Sequence, residues 1–129
     1  MKKILLVDDE ESFCYFVKKN LELTGEFKVF TANNGEEGLE IARRERPDLI
    51  LLDVLMPGML GSDVAAKLQE DPVLAQIPVV FLTAVVQKED FGDDLIKKSG
   101  GHLFLAKPIT PEELVTAIKR ILEEKEQES

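Results

Sequence analysis

Apolar residues fall along this chain in two alternating rhythms: short unbroken aliphatic runs, and stretches where apolar positions recur every three or four residues. Ile4 to Val7 is the first run, closed by Asp8-Asp9. Phe13, Phe16, Val17 and Leu21 follow at helical spacing, and Gly25 stops that helix. Phe27 to Ala32 is a second strand pattern. Asn34, with Glu37 three residues later, predicts a capped helix running to Glu45, and Pro47 then resets the chain. Leu49 to Leu52 ends at Asp53, and Val79 to Leu82 ends at Thr83. Neither run alternates, as expected of strands covered on both faces. Between them, Pro57, Gly58 and Gly61 predict a loop, and Val64 to Gln69 a third helix. Phe91, Leu95 and Ile96 predict a fourth helix with a weak apolar stripe, interrupted by Gly92 and ended by Gly100-Gly101. Leu103 to Leu105 is the last strand and leads to Lys107-Pro108. Thr110, Pro111 and Glu113 form a helix start, and Leu114, Ile118, Ile121 and Leu122 give the last helix its buried stripe.

Strand and helix thus alternate five times. That pattern predicts a three-layer α/β/α fold, a five-stranded parallel sheet with five helices and right-handed crossovers. Residues 1–124 are expected to form one domain and residues 125–129 an acidic tail. In such sheets ligands sit beyond the carboxyl ends of the strands. Asp8, Asp9, Asp53, Thr83 and Lys107 all fall at those ends.

At 129 residues the chain can bury roughly two-thirds of its unfolded surface, enough for a core without staples. An apolar fraction of 44% and a charged fraction of 32% suit a globular protein. No apolar run approaches the ~20 residues that span a bilayer, and the run before Asp8 is too short for a signal peptide. A cytoplasmic protein is expected. Its net charge of −9 disfavours nucleic acid and anionic membranes as direct partners. The single cysteine, Cys14, excludes an internal disulfide and is expected as a packed thiol. The single histidine, His102, is expected at the surface at the start of the last strand.

Each polar residue at the sheet edge has an ordinary explanation when taken alone. Asp-Asp after a strand reads as a helix N-terminus, Asp53 as a loop acid, Thr83 as a strand residue and Lys107-Pro108 as a turn. Together they are harder to explain away. Three unpaired carboxylates in one place repel and raise one another's pKa. A hard divalent cation relieves that penalty, and Mg2+ suits one or two carboxylates together with a phosphate oxygen. A carboxylate beside such an ion can attack phosphorus, and Asp53 at the end of the central strand is the best nucleophile. The Lys107 ammonium and the Thr83 hydroxyl, with a nearby backbone N–H, would neutralise the transferring oxygens.

Four stretches carry a resemblance that covers nearly the whole chain. They are Leu6-Val7-Asp8-Asp9-Glu10, Asp53 through Gly61, Phe81-Leu82-Thr83-Ala84, and Leu105-Ala106-Lys107-Pro108. In this order and spacing the chain resembles the receiver domain of bacterial two-component response regulators. The resemblance implies a flavodoxin-like sheet of order 2-1-3-4-5. It implies Asp53 as the phosphoacceptor, supplied by a sensor histidine kinase or a histidine phosphotransfer protein. Asp8, Asp9, Asp53 and the backbone oxygen of Leu55 are implied as Mg2+ ligands. Thr83, the Ala84 backbone N–H and Lys107 are implied as phosphoryl contacts, and Lys107-Pro108 as a cis peptide. Thr83 and Phe104 are implied as a switch that reshapes the face of the fourth helix, last strand and last helix. A downstream protein, or a second copy of the chain, would read that face. Leu55 and Val85 are apolar where some members carry polar groups, which predicts a long-lived phosphoryl-aspartate.

Other readings stay open at this point. The chain is either a free-standing receiver or a receiver cut from a longer regulator. An aspartyl-phosphate phosphatase of the haloacid-dehalogenase type would want an acid where Leu55 stands, and a cap domain. A flavin or nucleotide carrier would want a glycine-rich loop after the first strand.

Overall fold

The computed structural model describes residues 1–84 and 95–127. Strand β1 (Lys2–Val7) is followed by α1 (Glu11–Glu22), β2 (Phe27–Ala32), α2 (Gly35–Glu45), β3 (Leu49–Asp53) and α3 (Gly61–Gln69). A 3-10 turn (Leu74–Gln76), β4 (Val79–Thr83), β5 (Lys97–Ser99), β6 (His102–Ala106) and α4 (Pro111–Gln127) complete the described chain.

Period-two alternation along the buried strands separates two cores. Ile4, Leu6, Leu49, Leu51, Val80, Leu82 and Leu105 face α1 and α4, meeting Cys14, Val17, Leu21, Leu114 and Ile118. Leu5, Val7, Ile50, Leu52 and Phe81 face α2 and α3, meeting Leu39, Ala42, Val64 and Leu68. The helices therefore cover both faces, which is the three-layer arrangement expected. Two helix starts carry the expected caps. Asn34 accepts from the Glu37 N–H at 2.8 Å. Thr110 and Glu113 exchange side-chain-to-backbone bonds at 3.0 and 3.1 Å.

The sheet differs from expectation at one edge. It has six strands in the order β2-β1-β3-β4-β6-β5. The four pairings among β2, β1, β3, β4 and β6 are parallel, but β5 runs antiparallel to β6. Lys97 to Ser99, expected to end a helix, instead form an edge strand. The reason lies in Gly100 and Gly101, with φ of 57° and 80°. Two successive residues at positive φ make the tight reversal that joins hairpin strands of natural twist, and glycine enters that region without steric cost. Leu95 and Ile96, also expected in the fourth helix, are not helical and pack against the α1–α4 core. The remainder of that predicted helix, including Phe91 and Gly92, lies outside the described residues, as does Val85. Among the described residues there are thus four α-helices.

Candidate functional site

Strand register builds the site. Val7 pairs with Leu52, and Asp53 pairs with Leu82. One residue further along, Asp8 comes beside Asp53, and Thr83 comes beside Ala106, which precedes Lys107. The Lys107 N–H donates to the Thr83 carbonyl at 2.8 Å, carrying the strand pairing one step past β6. The Lys107–Pro108 peptide is cis.

One ligand oxygen from each of Asp8, Asp9 and Asp53 lies within 4.8 Å of the others. Asp8 is fully buried and Asp53 nearly so, whereas Asp9 is exposed. Asp8 is held from several directions. Its Oδ1 accepts from the Glu10 N–H at 2.9 Å, and its Oδ2 accepts from the Lys107 ammonium at 2.6 Å. Its carbonyl accepts from Asn33 Nδ2 at 3.1 Å and from the Cys14 thiol at 3.4 Å. The same ammonium lies 4.0 Å from Asp53 Oδ1 and 3.7 Å from Glu10 Oε1.

These contacts set the charges. Burial pushes the Asp53 carboxyl up to about 6, and the Asp8 charge adds to the effect. Lys107 and the Leu55 backbone N–H pull the other way without reversing it. Burial alone would lower the Lys107 pKa, but Asp8, then Asp53 and Glu10, outweigh it and hold the ammonium above its ordinary value. Burial, with Asp8 adding, also pushes the Cys14 thiol up to about 11, so it serves as a packed donor and not as a nucleophile. The donor set suits a small hard cation: three carboxylates, one of them short of positive charge, and no nitrogen or sulfur ligand among the cluster.

Below the site the backbone is tightly fitted. A Cβ on Gly61 would stand 2.3 Å from the Asp53 carbonyl oxygen. Only glycine lets the start of α3 come this close to the end of β3. The Gly61 N–H takes up the neighbouring carbonyl of Val54 at 3.0 Å. Thr83 is buried at the end of β4, with Ala84 exposed just after it. Leu55 is exposed in the loop after Asp53. Phe104 is half-buried, with its ring stacked on Phe81 at 5.4 Å between centroids. His102 is exposed at the start of β6 and meets Phe81 edge-on at 5.3 Å.

The family model for the response regulator receiver domain matches residues 4–119. The chain belongs to the response regulator receiver family. The receiver is 40% identical over 125 residues to the alkaline phosphatase synthesis transcriptional regulatory protein PhoP of Bacillus subtilis, covering 97% of this chain and 50% of that protein. It is 36% identical over 124 residues to protein PilH of Pseudomonas aeruginosa, covering 95% of this chain and 98% of that one. A CheY-like receiver structure from Methanospirillum hungatei superposes with a TM-score of 0.81 at 27% identity, covering 100% of this chain and 99% of that one. The chain thus spans half the length of the first relative and nearly all of the second. Receiver domains are signalling modules that work with histidine kinases or phosphotransfer proteins. Among the described residues no helix is long and apolar enough to cross a membrane.

Several residues at the site escaped the sequence reading. Asn33 carries a weak signal, since it directly follows the strand that lies beside Asp8. Phe13 and Cys14 read as core positions, and only the fold turns α1 so that both also meet the site. Gly61 read as a loop marker, and nothing local announces its fit against Asp53.

Proposed function

We propose that this receiver is phosphorylated on Asp53 and that the modification reshapes a protein-binding face. The observation that carries the reading is the juxtaposition of Asp8, Asp9 and Asp53 with the Lys107 ammonium 4.0 Å from Asp53. An Asp53 oxygen attacks the phosphorus of a phosphohistidine donor on a sensor histidine kinase or histidine phosphotransfer protein. The new O–P bond forms as the N–P bond breaks, and the bond's electron pair leaves on the imidazole nitrogen. Asp8, Asp9, Asp53 and the Leu55 backbone oxygen would hold Mg2+, which supplies charge neutralisation at the phosphoryl oxygens. Lys107 exchanges its Asp8 partner for a phosphoryl oxygen, and Thr83 with the Ala84 N–H meets another.

The Thr83 hydroxyl moving toward the new group vacates space along β4, and Phe104 turns into it. Of the face that would change, β6 and α4 are among the described residues. The reader of that face is a downstream protein or a second copy of the chain. Residues 1–124 suffice for this module, and the last residues of α4 extend beyond it. The phosphatase reading is disfavoured by Leu55, which offers no acid two residues after the nucleophile.

Intact mass after incubation with acetyl phosphate and Mg2+ tests the proposal. One added phosphoryl group is expected, absent in Asp53→Asn and in EDTA. A wild-type chain that gains nothing from acetyl phosphate or from a phosphorylated phosphotransfer protein overturns it.

A further inference from the structure

The Lys107 ammonium has a fourth neighbour that the family's chemistry does not require. It sits 4.5 Å from the centroid of the Phe13 ring, on the first turn of α1. A cation over an aromatic face is attracted by the ring quadrupole, and the attraction grows as water is excluded. Two other lysine–ring pairs among the described residues, Lys19 with Tyr15 and Lys28 with Phe30, are longer, at 6.0 and 5.4 Å, and their lysines are exposed. The Lys107 side chain is only 12% exposed, so its ring contact is the least screened of the three. Phe13 also packs against the α1–α4 core, a task an aliphatic residue at that position would perform equally. The aromatic ring adds an electrostatic contact that an aliphatic side chain lacks.

Among the described residues, the other partners of this ammonium are carboxylates: Asp8 at 2.6 Å, Glu10 at 3.7 Å and Asp53 at 4.0 Å. Asp8 and Asp53 belong to the cluster suited to a divalent cation. Once such a cation is bound, both carboxylates are neutralised toward Lys107, and the cation itself repels the ammonium. Glu10 remains, but its side chain is 64% exposed and well screened. The Phe13 ring is uncharged, and its hold on the ammonium survives the arrival of the metal.

We infer that Phe13 is a positioning residue that keeps the Lys107 ammonium inside the site when a divalent cation occupies the aspartate cluster, ready for a phosphoryl oxygen. The inference rests on the phosphoacceptor reading above, but its first test does not. In NMR spectra of lysine-labelled protein, the ring current of Phe13 should move the Lys107 ε-methylene protons upfield of those of the other lysines. This shift should persist at saturating Mg2+, vanish in Phe13→Leu, and return in Phe13→Tyr. With acetyl phosphate at saturating Mg2+, Phe13→Leu should accept the phosphoryl group about ten-fold more slowly, and Phe13→Tyr at nearly the wild-type rate.

Loss of the wild-type upfield shift when Mg2+ is added overturns the inference whatever the labelling rates. A Phe13→Leu rate equal to wild type overturns it as well, because the ring would then hold nothing the reaction uses. A persistent shift in a chain that takes up no phosphoryl group overturns the phosphoacceptor reading and leaves the hold of Phe13 on Lys107 intact. The wild-type spectra need no variant, so a poorly folded Phe13→Leu cannot shelter the idea.

Discussion

Asp53 is a carboxylate in a place that does not favour its charge. Burial and the neighbouring Asp8 raise its pKa from the ordinary 3.8 to about 6. A folded-state pKa above the unfolded one means that Asp53 contributes stability below the unfolded value, which is lost as pH rises through about 6. Without metal, Asp53→Asn should therefore be more stable than wild type at pH 8, by roughly 2–3 kcal/mol. The gain should shrink toward nothing near pH 4. Urea unfolding of both proteins in EDTA across that range checks the sign, and a gain that grew on acidification would refute it. The energetic cost is compatible with the proposed function, because the same unmet negative charge is what would attract a cation. Gly61 is the complementary case, a residue important for what it lacks. Gly61→Ala would force its methyl group against the Asp53 carbonyl and should destabilise the fold by about 1–3 kcal/mol. Urea midpoints measure this directly.

At the scale of elements, the edge hairpin β5–β6 depends on its turn more than on its strands. Lys97, Lys98 and Ser99 have little apolar surface to bury, and an exposed lysine such as Lys98 blunts a sheet edge against further pairing. What holds β5 in place is the pair of positive-φ glycines. Gly101→Val puts a β-branched side chain at φ 80° and should cost about 1–2 kcal/mol locally. Amide hydrogen exchange should show the loss of protection confined to β5 and the start of β6, with β1 and β3 unaffected. Exchange that rose equally in the central strands would contradict this separation. The central strands differ because they are buried on both faces, and opening them exposes two cores at once.

For the whole molecule, metal binding and folding are linked through the aspartate cluster. The three carboxylate oxygens come together only in the folded chain, so Mg2+ bound there would stabilise the native state by mass action. At Mg2+ near 100 times its Kd the gain is about 2.7 kcal/mol, a rise of roughly 10 °C in Tm for a domain of this size. Differential scanning calorimetry with and without Mg2+ reads this shift. It should be much smaller in Asp9→Asn, which removes a ligand charge from an exposed residue outside the core. An undiminished shift in that variant would exclude Asp9 from the site.

The sequence by itself determined the alternation of elements as far as β4, the layers and the residues gathered at the carboxyl edge. Local rules suffice for these. Unalternating aliphatic runs imply strands covered on both faces, helical spacing implies an amphipathic stripe, and parallel strands must end on the same side. Asn34, Thr110 and Glu113 announce helix starts because caps act over three residues of chain. The tertiary structure decided what depends on contacts far apart in sequence. Gly100-Gly101 punctuates either a helix end or a hairpin; the glycines permit the reversal, and the pairing of β5 with β6 completes the hairpin. Phe13 and Cys14 read as core residues, yet α1 is rotated so that one ring meets the distant Lys107 ammonium and one thiol meets the Asp8 carbonyl. The fit of Gly61 against Asp53 and the raised pKa of that carboxyl arise from close approach and burial, quantities that no single stretch of chain contains.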